Sequence, residues 1–146
     1  MHDKIIGATL PSVQALSFLG DAVHSLYVRR MLIEAGHCKS GDLNVAAQKY
    51  VTAEAQAEMM RRIKPMLLED EAEVYRRASN STHLNRPKHA KAADYRAASG
   101  FEAVLGMLEW IGDRERLDEL LKTAHQEEGK NDKTSSRQSF NKNERK

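Results

Sequence analysis

An all-α fold is what this sequence predicts, on three observations. Apolar residues recur at helical spacing through long segments, no stretch shows the alternation of a strand, and Pro11, Gly36 and Pro65 fall at the ends of the periodic runs. The chain has 146 residues and 40% hydrophobic content, which suits one compact helical bundle with a real core. No apolar run is long enough to span a bilayer, and the N-terminus lacks the apolar stretch of a secretory signal. The single cysteine, Cys38, permits neither an internal disulfide nor a cysteine-rich zinc site, so a cytoplasmic location is expected.

The elements follow in chain order. Thr9 and Pro11 are start signals for a first helix, carried by Val13, Leu16, Leu19, Val23, Leu26 and Ile33 and stopped at Gly36, about seven turns in all. Asp42 is placed to cap a segment over 43–50, and Thr52 one over 53–63 that Pro65 ends. Residues 69–78 predict a short helix with acids in its first turn and Arg76 and Arg77 in its last, the order that the helix dipole favours. The stretch 80–94, with Pro87, is the most loop-like part. Two more helices are predicted over 95–111 and 114–125. Beyond Gly129 the chain turns to Lys, Asn, Ser, Gln and Glu, with Phe140 the only large apolar side chain. One helical domain over 1–128 followed by a disordered basic tail over 129–146 is therefore expected.

Charge isolates two residues. In Leu16-Ser-Phe-Leu-Gly-Asp-Ala-Val23, Asp21 is the only Asp, Glu, Lys or Arg between Ser12 and Val28. In the segment over 97–108, Glu102 is again the single charge. A carboxylate in apolar surroundings loses hydration and needs a proton or a compensating cation. Glycines lie near both acids, Gly20 beside Asp21 and Gly100 and Gly106 around Glu102, although each costs roughly 1 kcal/mol in a helix relative to alanine. If the two helices cross at these glycines, two carboxylates meet in a site that calls for a divalent cation. Oxygen ligands favour magnesium, with manganese as a substitute, over zinc. Two acids that each face solvent separately are the plainer alternative.

The net charge of +2 is unevenly spread. From Arg76 to Arg96 the chain holds Arg76, Arg77, Arg86, Lys88, Lys91 and Arg96 against Asp94 alone. Such a strip suits a polyphosphate backbone, against the alternative of a solvated loop.

These motifs resemble the ribonuclease III family. Leu16 to Val23 is similar to its signature helix, and Gly100-Phe-Glu-Ala-Val-Leu-Gly106 to its second acidic helix. The Mini-III branch fits better still, through Tyr27-Val-Arg-Arg30, Arg86-Pro-Lys88 and Tyr95-Arg-Ala-Ala-Ser-Gly-Phe-Glu102; the resemblance covers roughly residues 10–125. It implies a homodimeric endoribonuclease that hydrolyses double-stranded RNA with magnesium, leaving 5′-phosphate and 3′-hydroxyl ends, with precursor 23S ribosomal RNA as substrate. It also implies Asp21 and Glu102 as catalytic metal ligands and Phe18 as a side chain that enters the partner subunit. Arg76, Arg77, Asn80, Arg86, Lys88, Lys91 and Arg96 become the expected RNA contacts. Three positions depart from the acids of larger relatives: Gln14, Ser17 and Ser99.

Two rivals remain at this stage. A magnesium-dependent nucleotide pyrophosphohydrolase would use the cluster Glu69, Asp70, Glu71 and Glu73, and a non-catalytic helical RNA-binding or ribosome-associated module would use the basic strip alone. His24, three residues after Asp21, is a possible nitrogen ligand or a polar neighbour of the site.

Overall fold

A computed structural model describes residues 9–81 and 91–126. The described residues form six α-helices and no strand: α1 Val13–Glu34, α2 Ser40–Val51, α3 Ala53–Ile63, α4 Glu69–Asn80, α5 Ala92–Ile111 and α6 Arg114–Ala124. A 3-10 turn, Lys64–Met66, carries Pro65 between α3 and α4. No described helix is long and apolar enough to cross a membrane.

The bundle is built around α5. Every residue from Ala98 to Leu108 is buried except Glu102, as expected of a helix that is apolar on all sides. α1 lies along it over the broadest contact, and α4 and α3 cover most of the remainder. α1 buries a single stripe at Val13, Leu16, Gly20, His24, Val28 and Leu32, while its other face leaves Phe18, Leu26 and Ile33 exposed.

The helix ends follow local chemistry. Ser12, rather than Thr9 or Pro11, caps α1 by accepting from the Ala15 N–H at 3.2 Å, and the helix makes about six turns, one fewer than expected. α2 starts at Ser40, three residues before the expected start, so Asp42 sits in its first turn instead of capping it. Thr52 caps α3 as anticipated, accepting from Ala55 N–H at 3.1 Å. α4 runs two residues further than expected, so Asn80 ends a helix, and α5 begins at Ala92, which places Arg96 on a helix and Lys91 at its N-cap. Gly112, with φ of 75°, turns the chain out of α5, and Asp113 then caps α6 through Arg116 N–H at 3.2 Å.

A buried ion pair joins α4 to α6. Glu71 is fully buried, and Arg116 reaches it from Nε at 2.9 Å and Nη2 at 2.8 Å. Arg116 also donates to the Met66 carbonyl at 2.6 Å, and Glu71 accepts from Leu68 N–H at 2.8 Å. The pair is thus satisfied on both sides, as a buried charge must be. Glu73 is bound by Arg76 at 2.7 Å. Of the acids in the cluster required by a pyrophosphohydrolase, Glu71 is therefore engaged in holding the fold, and Glu73 in an exposed pair within its own helix.

Candidate active site

The α1–α5 crossing brings the two isolated acids together. A Cβ on Gly20 would fall on the Glu102 carbonyl, and one on Gly106 would fall on the Leu16 carbonyl, so the two backbones touch and only glycine fits at either place. Gly100 serves another neighbour: a Cβ there would strike the Tyr75 ring of α4. Ser17 Oγ donates to the Ser99 carbonyl at 2.8 Å and ties the crossing one turn before Asp21. Two of the positions that depart from larger relatives thus meet across this contact, their backbone and hydroxyl joined to each other.

The Glu102 carboxyl meets the Asp21 side chain, and its pKa is pushed up to about 8, first by burial and then by the hydrogen bond and charge of Asp21. Dehydration falls on Glu102, which is half-buried; Asp21 is exposed, so the expectation of an apolar setting holds for one acid of the pair. A carboxyl whose pKa is raised this far beside a second acid marks a site short of positive charge. Their oxygens fit a hard divalent cation, and no described cluster of three or more His, Cys, Asp or Glu residues competes with them. Two protein carboxylates leave most of such a cation's coordination to water and phosphate oxygens.

His24 is not a ligand at this site. It is fully buried in the stripe of α1 that faces the bundle, where Gln56 Nε2 lies 3.1 Å from its Nδ1 and His125 Nε2 lies 3.0 Å from its Nε2. If the Gln56 amide donates to Nδ1, His24 carries its proton on Nε2 and donates to His125, whose own proton is then on Nδ1. Burial, reinforced by His125, lowers His24 to about 3; burial and the Arg62 charge lower His125 to about 4. Both rings are neutral at ordinary pH. Gln56 and His125 escaped the sequence reading because each looks unremarkable in its own segment.

The expected RNA-contacting residues are less concentrated. Arg77, Asn80, Lys91 and Arg96 are exposed, and Arg76 is exposed but paired with Glu73. Arg96 stands six residues before Glu102 on the same helix, about 9 Å along its axis. Arg86 and Lys88 lie outside the described residues, as does the tail.

Known proteins are similar to this chain in sequence and in fold. The ribonuclease III domain family matches residues 14–110, which include both carboxyls. The chain is 42% identical over 116 residues to the Mini-ribonuclease 3 of Symbiobacterium thermophilum, covering 80% of this chain and 88% of that protein. It is 42% identical over 109 residues to the Mini-ribonuclease 3 of Streptococcus pneumoniae, covering 73% and 85%. A crystal structure of a protein from Fusobacterium nucleatum superposes with a TM-score of 0.69 at 25% identity, covering 76% of this chain and 88% of that one. With the family matched across the α1–α5 crossing, the chain belongs to the ribonuclease III family, alongside the Mini-ribonucleases 3, and is an endoribonuclease that acts on double-stranded RNA.

Proposed function

We propose that Asp21 and Glu102 together hold magnesium and direct hydrolysis of phosphodiesters in a duplex of precursor 23S ribosomal RNA. Enzymes of this family use a divalent metal; magnesium is the finer reading, from the hardness of an all-oxygen donor pair. The observation that carries it is the close contact of α1 and α5 at Gly20 and Gly106, which brings Glu102 against Asp21 and raises the Glu102 pKa, a deficit of positive charge between two facing helices. When bound, magnesium polarises the scissile phosphate and makes a water acidic enough to attack in line, leaving a 5′-phosphate and a 3′-hydroxyl.

The chain's own residues do the rest. Glu102 would hold the cation in its ionised form, and its helix, buried on nearly every side, keeps that carboxyl from moving. Asp21 faces solvent, where RNA arrives. The Ser17 hydroxyl is already committed to the Ser99 carbonyl, which leaves the two carboxyls as the acidic ligands of the crossing. Lys91, Arg96 and Arg77, with Arg86 and Lys88, hold the RNA backbone. An A-form duplex hides its base edges in a deep groove, so these contacts read shape.

A homodimer is part of this reading. Phe18 is 83% exposed, and Ala22 and Leu26 continue its row at the i+4 and i+8 spacing. Ala22 and Leu26 also line a groove of about 670 Å³ between α1 and α6, whose floor includes Val23, Leu117 and Leu121. An apolar knob beside a groove that pairs apolar side chains with charged ones such as Arg30, Glu34 and Asp118 is self-complementary under a two-fold axis.

Incubating the protein with a precursor 23S duplex, with and without magnesium, tests the activity. Cleavage only with magnesium, giving 5′-phosphate ends and abolished by Asp21→Asn, is expected; an Asp21→Asn protein that still cleaves would remove the carboxyl pair from the mechanism. Light scattering should show a dimer that Phe18→Asp dissociates, and a fully active wild-type monomer would exclude the dimer.

A further inference from the structure

The His24–Gln56–His125 chain lies outside the carboxyl pair, yet it reaches the neighbours of both acids. His24 follows Asp21 by three residues on α1, and its ring meets Phe101, the residue before Glu102, edge-on at 5.1 Å and 88°. Gln56 belongs to α3 and His125 caps the C-terminus of α6, and both of those helices pack on α5. Tyr27 of α1 and Tyr50 of α2 pack their rings on His125 at 4.9 Å and 5.7 Å, closing the outer end.

We propose that His24 is a positioning residue for the carboxyl pair: held by Gln56 and His125 and set edge-on against Phe101, it fixes the roll of α1 against α5 where Asp21 and Glu102 meet. The inference rests on those two carboxyls being the metal ligands. Apolar packing alone limits how close two helices come, and it limits rotation about a helix axis much less. Gly20 and Gly106 set the approach and the Ser17–Ser99 bond ties one point of the crossing, but a glycine contact has no side chain to resist roll. The two hydrogen bonds of His24 are directional and anchor it to elements other than α5, so they supply what the glycines lack. The tolerance is small. At the ~5–6 Å radius of side-chain ends, a roll of about 10° carries Asp21 about 1 Å, several times the ~0.2 Å within which metal–ligand distances are held.

The test uses the full chain with His24→Leu, which keeps the bulk and removes both hydrogen bonds, and His24→Gln, whose amide can accept from Gln56 and donate to His125. Manganese affinity is measured calorimetrically without RNA, and duplex affinity is measured separately in chelator. His24→Leu should weaken manganese binding about tenfold, the size of effect that groups supporting metal ligands have, while duplex affinity in chelator stays within about twofold. His24→Gln should recover most of the manganese affinity. Should His24→Leu not fold, Gln56→Leu, which removes only the partner of Nδ1, is read in the same way.

Wild-type manganese affinity in a folded His24→Leu protein would overturn the proposal, as would a His24→Gln protein no better than His24→Leu. Loss of fold in both leucine variants would also overturn it, because the chain would then serve stability alone. Asp21→Asn separates the two levels: unchanged manganese binding there refutes the carboxyl site itself, whereas weakened binding there with normal binding in His24→Leu refutes only the positioning role.

Discussion

Glu102 is the residue on which metal, acidity and stability meet. Its folded pKa, at about 8, lies above the 4.5 of an ordinary glutamate, so between those values the folded chain holds a proton that the unfolded chain releases. The sign follows: stability is fully present below about pH 4.5 and is lost as pH rises toward 8. Glu102→Gln has no such proton to lose. Without metal, its melting temperature should match the wild type near pH 5 and exceed it above pH 8, by roughly 1–3 kcal/mol in stability, discounted because Asp21 is open to water. Adding magnesium should reverse the order, since only the wild type gains a ligand that binds the folded state. A difference that stays flat from pH 5 to 9 in chelator would show that Glu102 is not held protonated by its neighbour. In cleavage, both Glu102→Gln and Asp21→Asn should lose at least about a hundredfold.

Among the elements, the α1–α5 crossing and the α4–α6 ion pair make opposite predictions. Gly20→Ala puts a methyl on the Glu102 carbonyl, which belongs to a fully packed helix and cannot give way. Overpacking there should cost roughly 2–3 kcal/mol, exceeding the ~1 kcal/mol that alanine gains in helix propensity, and should weaken metal-dependent cleavage by spreading the carboxyls. Chemical denaturation checks the stability term; a stabilised Gly20→Ala would mean that the helices part without cost. Arg116→Leu leaves Glu71 charged and buried, at about 3–5 kcal/mol, and Glu71→Leu added to it should restore most of that loss with activity unaffected. The difference in kind was partly legible in advance. Asp21 and Glu102 stood out because each is the lone charge of an apolar helix, and the glycines beside them marked the contact. Glu71 looked like one of several first-turn acids, and nothing in the chain near Arg116 points back 45 residues to it. The His24 chain was hidden for the same reason, its partners lying 32 and 101 residues away. Local pattern reveals residues that break their own segment's rule, whereas partners chosen by tertiary packing obey it.

At the scale of the whole molecule, the question is how a chain whose cations are scattered holds a polyanion. The helices of the body were legible from periodicity, but the stretch between α4 and α5 was not, and there the basic residues gather. Lys91 sits at the N-cap of α5, where the positive end of the helix dipole adds to its own charge, and Arg96 follows on the same helix toward Glu102. Phosphate contacts made from here would run along α5 toward the carboxyl pair. Replacing Arg86, Lys88 and Lys91 together with alanine should weaken binding to all duplex sequences alike, and the slope of log affinity against log salt should fall by roughly one for each phosphate contact removed. Cleavage of RNA already bound should change little, because none of the three side chains belongs to the carboxyl pair. If the strip is only a solvated connection, both affinity and salt slope will stay at wild-type values, within the few tenths of a kcal/mol of an ordinary surface substitution. Filter binding across a salt series distinguishes the two outcomes, and the second would move the RNA-binding surface to Arg29 and Arg30, both exposed on α1, of which Arg29 lies two helical turns beyond Asp21.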